Sequence, residues 1–510
     1  MFKKILIANR GEIAVRVIRG CREMGISPIA VYSDVDRAAL HVRKADEAYP
    51  IGPATASESY LNIPRLIEVA RKSGAEAIHP GYGFLSENPA FNRACREAGI
   101  KFIGPTPEAM ELMGSKTRAR QTMEKAGVPF VPGTTKGLQS LEQAKEVAAK
   151  IGYPVMLKAA GGGGGKGMRA VRSADQLASA LDQARSEAMR SFKDDEVYIE
   201  KLIENPRHIE VQILGDEHGN LLYLGERECS VQRRHQKVLE ESPSSFVDPE
   251  MRQRMGETAV RVGKAAGYSN AGTVEFLVDE QKNFYFLEVN ARLQVEHPVT
   301  EFVTGLDLVH LQIRIAAGAE LSLRQEDIAL RGHAIECRVY AEDPDNNYMP
   351  SPGTITRLLQ PSGPGIRRDS GVYEGWTVPI DYDPLLAKVI GYAPTRQDAI
   401  ARLDRAMYEY FVGGIKTNIS LFRRILHDPA FIAGKVNTGY LDRLLEHSHK
   451  EQHEAREGDR RIAALAAALF TQMENGASSV SAPASSGVGV NGTAASNWKR
   501  TARADALRQK

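Results

Sequence analysis

Five consecutive glycines, Gly161 to Gly165, run into Lys166 and Gly167 between two apolar stretches, Val155–Ala160 and the one that opens at Met168. Glycine gives up more backbone entropy on folding than any other residue and brings no side chain to a core. A chain tolerates such a run as a flexible connection, or where backbone N–H groups must come close to something outside the chain. Successive bare N–H groups form a nest for an anion, most often a phosphate. Lys158 and Lys166 add positive charge beside it. The run is not a Walker phosphate loop: that loop ends Gly-Lys-Ser/Thr, and here Met168 follows Gly167. On the loop alone, tether and phosphate cradle both stand.

What flanks the loop narrows the fold. From the N-terminus, Ile5–Ala8 reads as a strand, Ile13, Val17, Cys21 and Met24 recur at helical spacing, and Pro28–Ser33 reads as a second strand. Pro64 sits at a helix start, and Ala75–His79 leads into the turn His79-Pro80-Gly81-Tyr82-Gly83-Phe84. This alternation predicts a parallel sheet covered by helices. Asn9-Arg10-Gly11-Glu12 is not a dinucleotide fingerprint. Past Pro107, Ser140 with Gln143 and Ser173 with Gln176 read as capping boxes that open helices. Two hairpins follow: one in which Ile209, Val211 and Ile213 alternate with Glu210 and Gln212 and which turns at Asp216–Asn220, and one pairing Thr273–Val278 with Phe284–Val289. The middle of the chain is therefore α+β with antiparallel sheet. From about Arg331 to Glu446, short strands mix with a helix from Thr395 to about Tyr408. At the end, Ile462, Leu465, Leu469 and Met473 mark a short amphipathic helix, and Gly476–Asn497 reads as an uncharged, flexible linker. Beyond it, the basic stretch Trp498–Lys510 is expected to dock on a neighbouring protein of the same assembly.

Length and composition set limits. At roughly 150 residues per domain, 510 residues suggest about three domains. With 66 Lys and Arg against 64 Asp and Glu, the net charge of +2 gives no global attraction to nucleic acid or an anionic membrane. No apolar run approaches the ~20 residues of a membrane span. Cys21, Cys95, Cys229 and Cys337 form no C-x-x-C pair, so neither a zinc knuckle nor a disulfide framework is readable. Together with an N-terminus that runs straight into a strand pattern, these features lead us to expect a cytoplasmic protein.

Two segments are dense in chemistry. Glu288, Asn290, Arg292, Gln294 and Glu296 fill alternate positions, with Val289, Ala291, Leu293 and Val295 between them. If the segment is extended, all five polar side chains share one side. It is then either a solvent-facing strand or a site. Carboxylate and amide oxygens suit a hard cation shared with phosphates, and Glu275 on the partner strand adds another. Arg292 offers a planar fork for a carboxylate-like anion. The second segment, Glu226 to Lys237, taken alone reads as a surface charge cluster, with Cys229 either buried or a nucleophile.

Taken together the motifs are specific. Ile7-Ala8-Asn9-Arg10-Gly11-Glu12-Ile13-Ala14, His79 to Asn88, the glycine loop, Gln232-Arg233-Arg234-His235-Gln236-Lys237, Gln294-Val295-Glu296-His297-Pro298 and Gly332-His333-Ala334-Ile335-Glu336-Cys337-Arg338 resemble the biotin carboxylase family of ATP-grasp enzymes, over about Met1 to Leu445. The resemblance implies an α/β and α+β chain in four parts. Residues 1–112 would form a Rossmann-like N-terminal domain, and 113–330 an ATP-grasp domain with a glycine-rich lid at about 130–203. Residues 331–446 would form a mixed C-terminal biotin carboxylase domain, and 447–510 a helical and flexible tail longer than in compact members.

It also implies roles. Lys116 and Lys158 would contact ATP phosphates, with Gly164 and Gly165 in the lid. Glu200, Lys201, Leu202 and Ile203 would hold adenine, and His208, Gln232 and His235 would approach ribose and phosphates. Glu275, Glu288 and Asn290 would hold two Mg²⁺ or Mn²⁺ ions, with Glu275 and Glu288 thereby also binding ATP. Lys237, Arg292, Gln294, Val295 and Glu296 would bind bicarbonate, with Glu296 as base, and Arg338 would face the biotin ureido oxygen. None of the thirteen methionines is followed by lysine, so the Met-Lys-Met acceptor is missing. Biotin is expected on a separate carboxyl carrier protein. A carboxyltransferase subunit would be the further partner, and a homodimer the assembly. The final acceptor is open: acetyl-CoA, propionyl-CoA or another acyl-CoA, pyruvate, or another 2-oxo acid. Two alternatives compete, an amide-forming ATP-grasp ligase and a non-catalytic nucleotide-binding scaffold. The bicarbonate motif and Arg338 speak against the first, and the intact acidic set speaks against the second.

Overall fold

The chain opens on the expected parallel sheet. Its strands lie in the order Glu47–Gly52, Ser27–Ser33, Lys4–Ile7, Ala77–His79, Lys101–Phe102. Ile5, Leu6, Ile7, Ile29 and Ile78 are fully buried, which explains why these strands read as continuous apolar runs. Helix Ile63–Ser73 begins with Pro64 in its first turn, its N-cap Asn62 accepting the Arg65 N–H at 3.1 Å, and ends on left-handed Gly74. The computed structural model describes residues 1–446 apart from 135, 160–166, 193–194 and 345, and gives the backbone alone at 116, 117 and 192. Gly164, Gly165, the side chain of Lys116 and the tail 447–510 thus lie outside the described residues.

A three-stranded antiparallel sheet, Met168–Val171, Val155–Ala159 and Val197–Lys201, carries the two strands that flank the glycine run. With helices Leu141–Ile151 and Leu177–Phe192 it has a core of its own, including Val155, Leu157, Leu181 and Ile199. Ser140 caps as expected, accepting the Gln143 N–H, but Gln143 reaches back to the N–H of Gln139 rather than Ser140. Ser173 makes no side-chain cap bond. Ala174–Gln176 is a 3₁₀ turn that precedes the helix, and Gln176 accepts the N–H of Arg172.

The largest element is an eight-stranded antiparallel sheet in the order Phe284–Asn290, Asn270–Val278, Arg207–Gly215, Leu221–Arg233, Gln236–Ser242, His333–Tyr340, Leu385–Ala393, Ile366–Ser370. Both expected hairpins belong to it. The sheet runs without a break from the middle of the chain into the C-terminal stretch, because Gln236–Ser242 pairs with His333–Tyr340. Helices Pro249–Ala265 and His297–Thr304 pack against Leu221–Arg233. Glu226, Arg227, Glu228, Cys229 and Gln232 are consequently buried, and the expected surface charge cluster is an interior one. Helix Arg396–Glu409 lies close to the predicted bounds, capped by Thr395. Met1–Leu444 forms one unit. Among the described residues no helix is long and apolar enough to cross a membrane.

Candidate active site

Cross-strand register lines up charges that are far apart in sequence. Arg227 stands opposite Glu210, Glu210 opposite Glu275, and Glu275 opposite Glu288. Side chains directly opposite share a face, so these four form one row across four strands. Buried Arg227 is held by Glu210, by Gln212 at 2.7 Å, Thr300 at 2.9 Å and Thr273 at 3.0 Å. A buried charge is tolerated only when paired and hydrogen-bonded in this way.

Lys237, near the start of strand Gln236–Ser242, reaches the row. Its Nζ lies 2.5 Å from Glu210, 2.9 Å from Glu275 and 2.7 Å from Glu296. Burial works against its charge, but the three carboxylates outweigh burial and hold its pKa well above the usual lysine value. His208 Nε2 sits 2.9 Å from the other oxygen of Glu275. Burial disfavours the imidazolium, yet Glu275 raises the His208 pKa past that penalty.

The alternating segment is not a strand throughout. It leaves the sheet at Asn290, because Glu87 replaces the neighbouring strand: its Oε1 accepts the Ala291 N–H at 2.8 Å and its Oε2 takes Arg292 Nε at 2.9 Å. The polar side chains converge nonetheless. Arg292 donates to Gln294 Oε1 at 2.7 Å and Asn290 Oδ1 at 3.1 Å, while Asn290 and Gln294 donate to Glu275 at 2.8 and 3.2 Å.

Glu296 is fully buried at the N-cap of helix His297–Thr304. One oxygen takes Lys237 and the other Arg338 Nη2 at 2.9 Å. Burial favours its neutral form, but Lys237, Arg338 and Arg227 prevail and hold the carboxyl well below its usual range. The N-terminal end of the helix dipole acts in the same direction. Glu296 is therefore an ionised carboxylate between two cations. Arg338 also lies 2.5 Å from Glu240, a carboxyl that burial pushes up to about 7 despite that arginine.

The remaining expected residues are distributed around this centre. Glu288 is exposed, opposite Glu275. Gln232 is buried opposite Lys237, and His235 is exposed in the turn between the two strands. On the three-stranded sheet Glu200 pairs with Lys158, with Arg120 3.8 Å away. Lys201 Nζ donates to the carbonyls of Gly152 and Tyr153, the Leu202 N–H donates to Pro154, and Ile203 is half-buried beside them. The Val295 carbonyl accepts Lys388 Nζ. Cys229 is fully buried, and burial drives its thiol pKa far up, which favours the unreactive thiol over the thiolate.

Several members of the cluster had no role assigned from sequence: Glu210, Arg227, Glu240, Glu87 and Arg120. Glu210 carried a signal, as a carboxylate alternating with Gln212 inside an apolar hairpin. The turn His79–Phe84 is explained too. Asn9 Nδ2 donates to the carbonyls of both Pro80 and Tyr82 at 2.7 Å, and Gly81, at φ +62°, would place a Cβ 2.9 Å from that nitrogen. The carboxylate and amide oxygens of Glu275, Glu288 and Asn290 fit a hard divalent cation.

Residues 1–110 match the family described as biotin carboxylase, N-terminal domain, residues 115–324 the carbamoyl-phosphate synthase L chain ATP-binding domain, and residues 336–443 the biotin carboxylase C-terminal domain. Biotin carboxylase 1 of Bacillus subtilis is 52% identical over 443 residues, 87% of this chain and 98% of that protein. A pyruvate carboxylase subunit of Methanothermobacter thermautotrophicus is 49% identical over 489 residues, covering 93% of this chain and 99% of that one. Among solved structures, a nucleotide complex of Campylobacter jejuni biotin carboxylase matches with TM-score 0.83 and 50% identity, over 87% of this chain and 99% of that one. The biotin carboxylase domain dimer of Hydrogenobacter thermophilus 2-oxoglutarate carboxylase, with MgADP, ADP and bicarbonate, matches with TM-score 0.82 and 50% identity, over 88% of this chain and 98% of that one. A buried acid held between a lysine and an arginine thus stands in a chain that belongs to the biotin carboxylase family of ATP-dependent ligases.

Proposed function

We propose that this chain carboxylates biotin presented by a separate carrier protein, using bicarbonate and ATP and forming carboxyphosphate, carboxybiotin, ADP and phosphate. The observation that carries the reading is the bridging of Glu296 between Lys237 and Arg338. On this reading Glu296 is the proton acceptor, between the carboxylates assigned to metal and the arginine assigned to biotin.

Bicarbonate is a weak nucleophile and must approach a highly anionic nucleotide. Lys237 and Arg292 offset that repulsion and orient the anion, with Gln294 and the Val295 N–H beside them. A bicarbonate entering among these cations adds negative charge next to Glu296. That raises the affinity of Glu296 for a proton, so it takes the bicarbonate proton as an oxygen attacks the γ-phosphorus. ADP leaves, and carboxyphosphate breaks down to CO₂ and phosphate. That phosphate accepts the biotin N1′ proton, Arg338 stabilises the ureido oxyanion, and the nitrogen attacks CO₂. Glu275, Glu288 and Asn290 would hold Mg²⁺ or Mn²⁺, which neutralises phosphate charge when bound. Lys158 and Glu200–Ile203 are assigned to the nucleotide, as are His208, Gln232 and His235. The Lys158–Glu200 pair would separate as phosphates compete for the lysine.

The dimeric relatives support a homodimer, and the carboxylase relatives support a carboxyltransferase partner. We assign 1–112, 113–330 and 331–446 as the three functional parts. The test is ATP cleavage by the purified chain: it should require bicarbonate and be stimulated by free biotin. Cleavage that instead required ammonia or an amine would favour an amide-forming ligase.

A further inference from the structure

We propose that Lys388 is a positioning residue for the bicarbonate step, its ammonium clamping the Val295–Glu296 peptide. This rests on the reading that the Arg292–Glu296 segment receives bicarbonate.

Strand Leu385–Ala393 reads Leu-Leu-Ala-Lys-Val-Ile-Gly-Tyr-Ala, with one charged residue in an otherwise uncharged, largely apolar run. That lysine is fully buried. Its register neighbours are Arg338 on one side and Asp369 on the other, so Lys388 continues the row that carries the biotin-facing arginine. Nζ donates to the Val295 carbonyl at 2.7 Å and lies 3.3 Å from Glu12 Oε1. Glu12 in turn accepts the Tyr82 hydroxyl, and the Tyr82 ring centroid is 5.8 Å from Nζ. The chain Tyr82–Glu12–Lys388–Val295 therefore joins the His79–Phe84 turn to the segment that carries the base.

The bond falls where the backbone cannot satisfy itself. Glu296 is the N-cap, and intrahelical acceptance begins with the N-cap carbonyl. The Val295 carbonyl lies one residue earlier, outside the helical ladder, and Lys388 supplies its donor. The same peptide plane carries the Glu296 N–H, so holding its oxygen sets the direction in which Glu296 leaves the backbone. It also orients the Gln294–Val295 turn whose N–H is assigned to bicarbonate. Burial works against the ammonium, but Glu12, Glu336 and Asp369 outweigh it and keep Lys388 charged.

The competing role is charge balance alone, with Lys388 serving only to neutralise Glu12, its ion-pair partner at 3.3 Å. Two variants separate the roles. Lys388→Met removes the clamp and leaves Glu12 without its cation. Lys388→Met with Glu12→Gln removes the clamp and the uncompensated charge together. The readouts are KM for bicarbonate in ATP cleavage without biotin, the nucleotide dissociation constant, and thermal stability. The double variant should recover stability lost in the single one, while both show KM for bicarbonate raised about tenfold or more and nucleotide affinity within about twofold of wild type. Recovery of KM together with stability in the double variant would overturn the clamp, as would an unchanged KM in Lys388→Met. If the single variant does not fold, the double variant carries the test. A wild-type enzyme whose ATP cleavage ignored bicarbonate would instead overturn the underlying functional reading.

Discussion

Replacing Glu296 with glutamine separates the chemistry of this site from its architecture. Glutamine keeps the shape and one acceptor oxygen but cannot take a proton from bicarbonate. A general base contributes about 10²–10⁴-fold, so bicarbonate-dependent ATP cleavage should fall by that factor. The cost in stability should be smaller than for stripping a buried ion of its only partner, about 3–5 kcal/mol. Lys237 keeps Glu210 and Glu275, and Arg338 keeps Glu240. The loss is closer to that of one charged hydrogen bond, about 1.5–3 kcal/mol. Because the Glu296 pKa is depressed in the folded state, its contribution is present above the unfolded value of about 4.3 and is lost as pH falls through the folded value. The stability gap between wild type and Glu296→Gln should therefore narrow in acid. Steady-state kinetics, nucleotide titration and thermal melts at several pH values check all three statements. Retention of more than about half the activity, or loss of nucleotide affinity in step with activity, would refute the assignment.

Arg338→Ala should cut biotin carboxylation by about 10²-fold or more, while bicarbonate-dependent ATP cleavage without biotin stays within about tenfold. An equal fall in both would move Arg338 to the carboxyphosphate step. Burial raises the Glu240 carboxyl to about 7, so its stabilising protonation is complete below the unfolded value and is lost as pH rises through about 7. Glu240→Gln should therefore flatten the decline in melting temperature between pH 5 and 8, and curves parallel to wild type would contradict this. Removal of divalent cations should abolish ATP cleavage, and Glu288→Gln should raise the Mg²⁺ concentration needed for half-activity by about tenfold or more; an unshifted titration would remove Glu288 from the metal site. All four cysteines are buried, and burial pushes the Cys21 and Cys95 thiols up to about 12, so native protein at pH 8 should resist alkylation that goes to completion on unfolding. Rapid labelling of Cys229 in the native protein would refute its burial.

Local pattern revealed much of the fold: the strand and helix alternation, both hairpins, and the helix capped by Thr395. It failed where a distant residue decided the outcome. The alternating polar segment is cut at Asn290 by Glu87, some two hundred positions away in sequence, which takes the N–H that another strand would have claimed. The stretch Glu226–Lys237 looks exposed in isolation, because nothing in its spacing shows that strands flank it on both sides and helices Pro249–Ala265 and His297–Thr304 pack against it. Of the candidate site, the sequence motifs single out Glu296, Arg292 and Arg338, which the fold brings to the same cluster of charges. Glu210, Arg227 and Lys388 stand out only in the structure, because their places in the cluster come from register across strands that no local window contains.

The most direct measurement follows one oxygen atom. If bicarbonate attacks the γ-phosphorus after Glu296 takes its proton, the attacking oxygen stays on phosphorus when carboxyphosphate loses CO₂. ATP cleavage in fresh ¹⁸O-bicarbonate should yield phosphate carrying one bicarbonate-derived oxygen, and both this labelling and turnover should collapse in Glu296→Gln. Phosphate released by the wild-type enzyme with oxygen drawn from water alone would contradict the account.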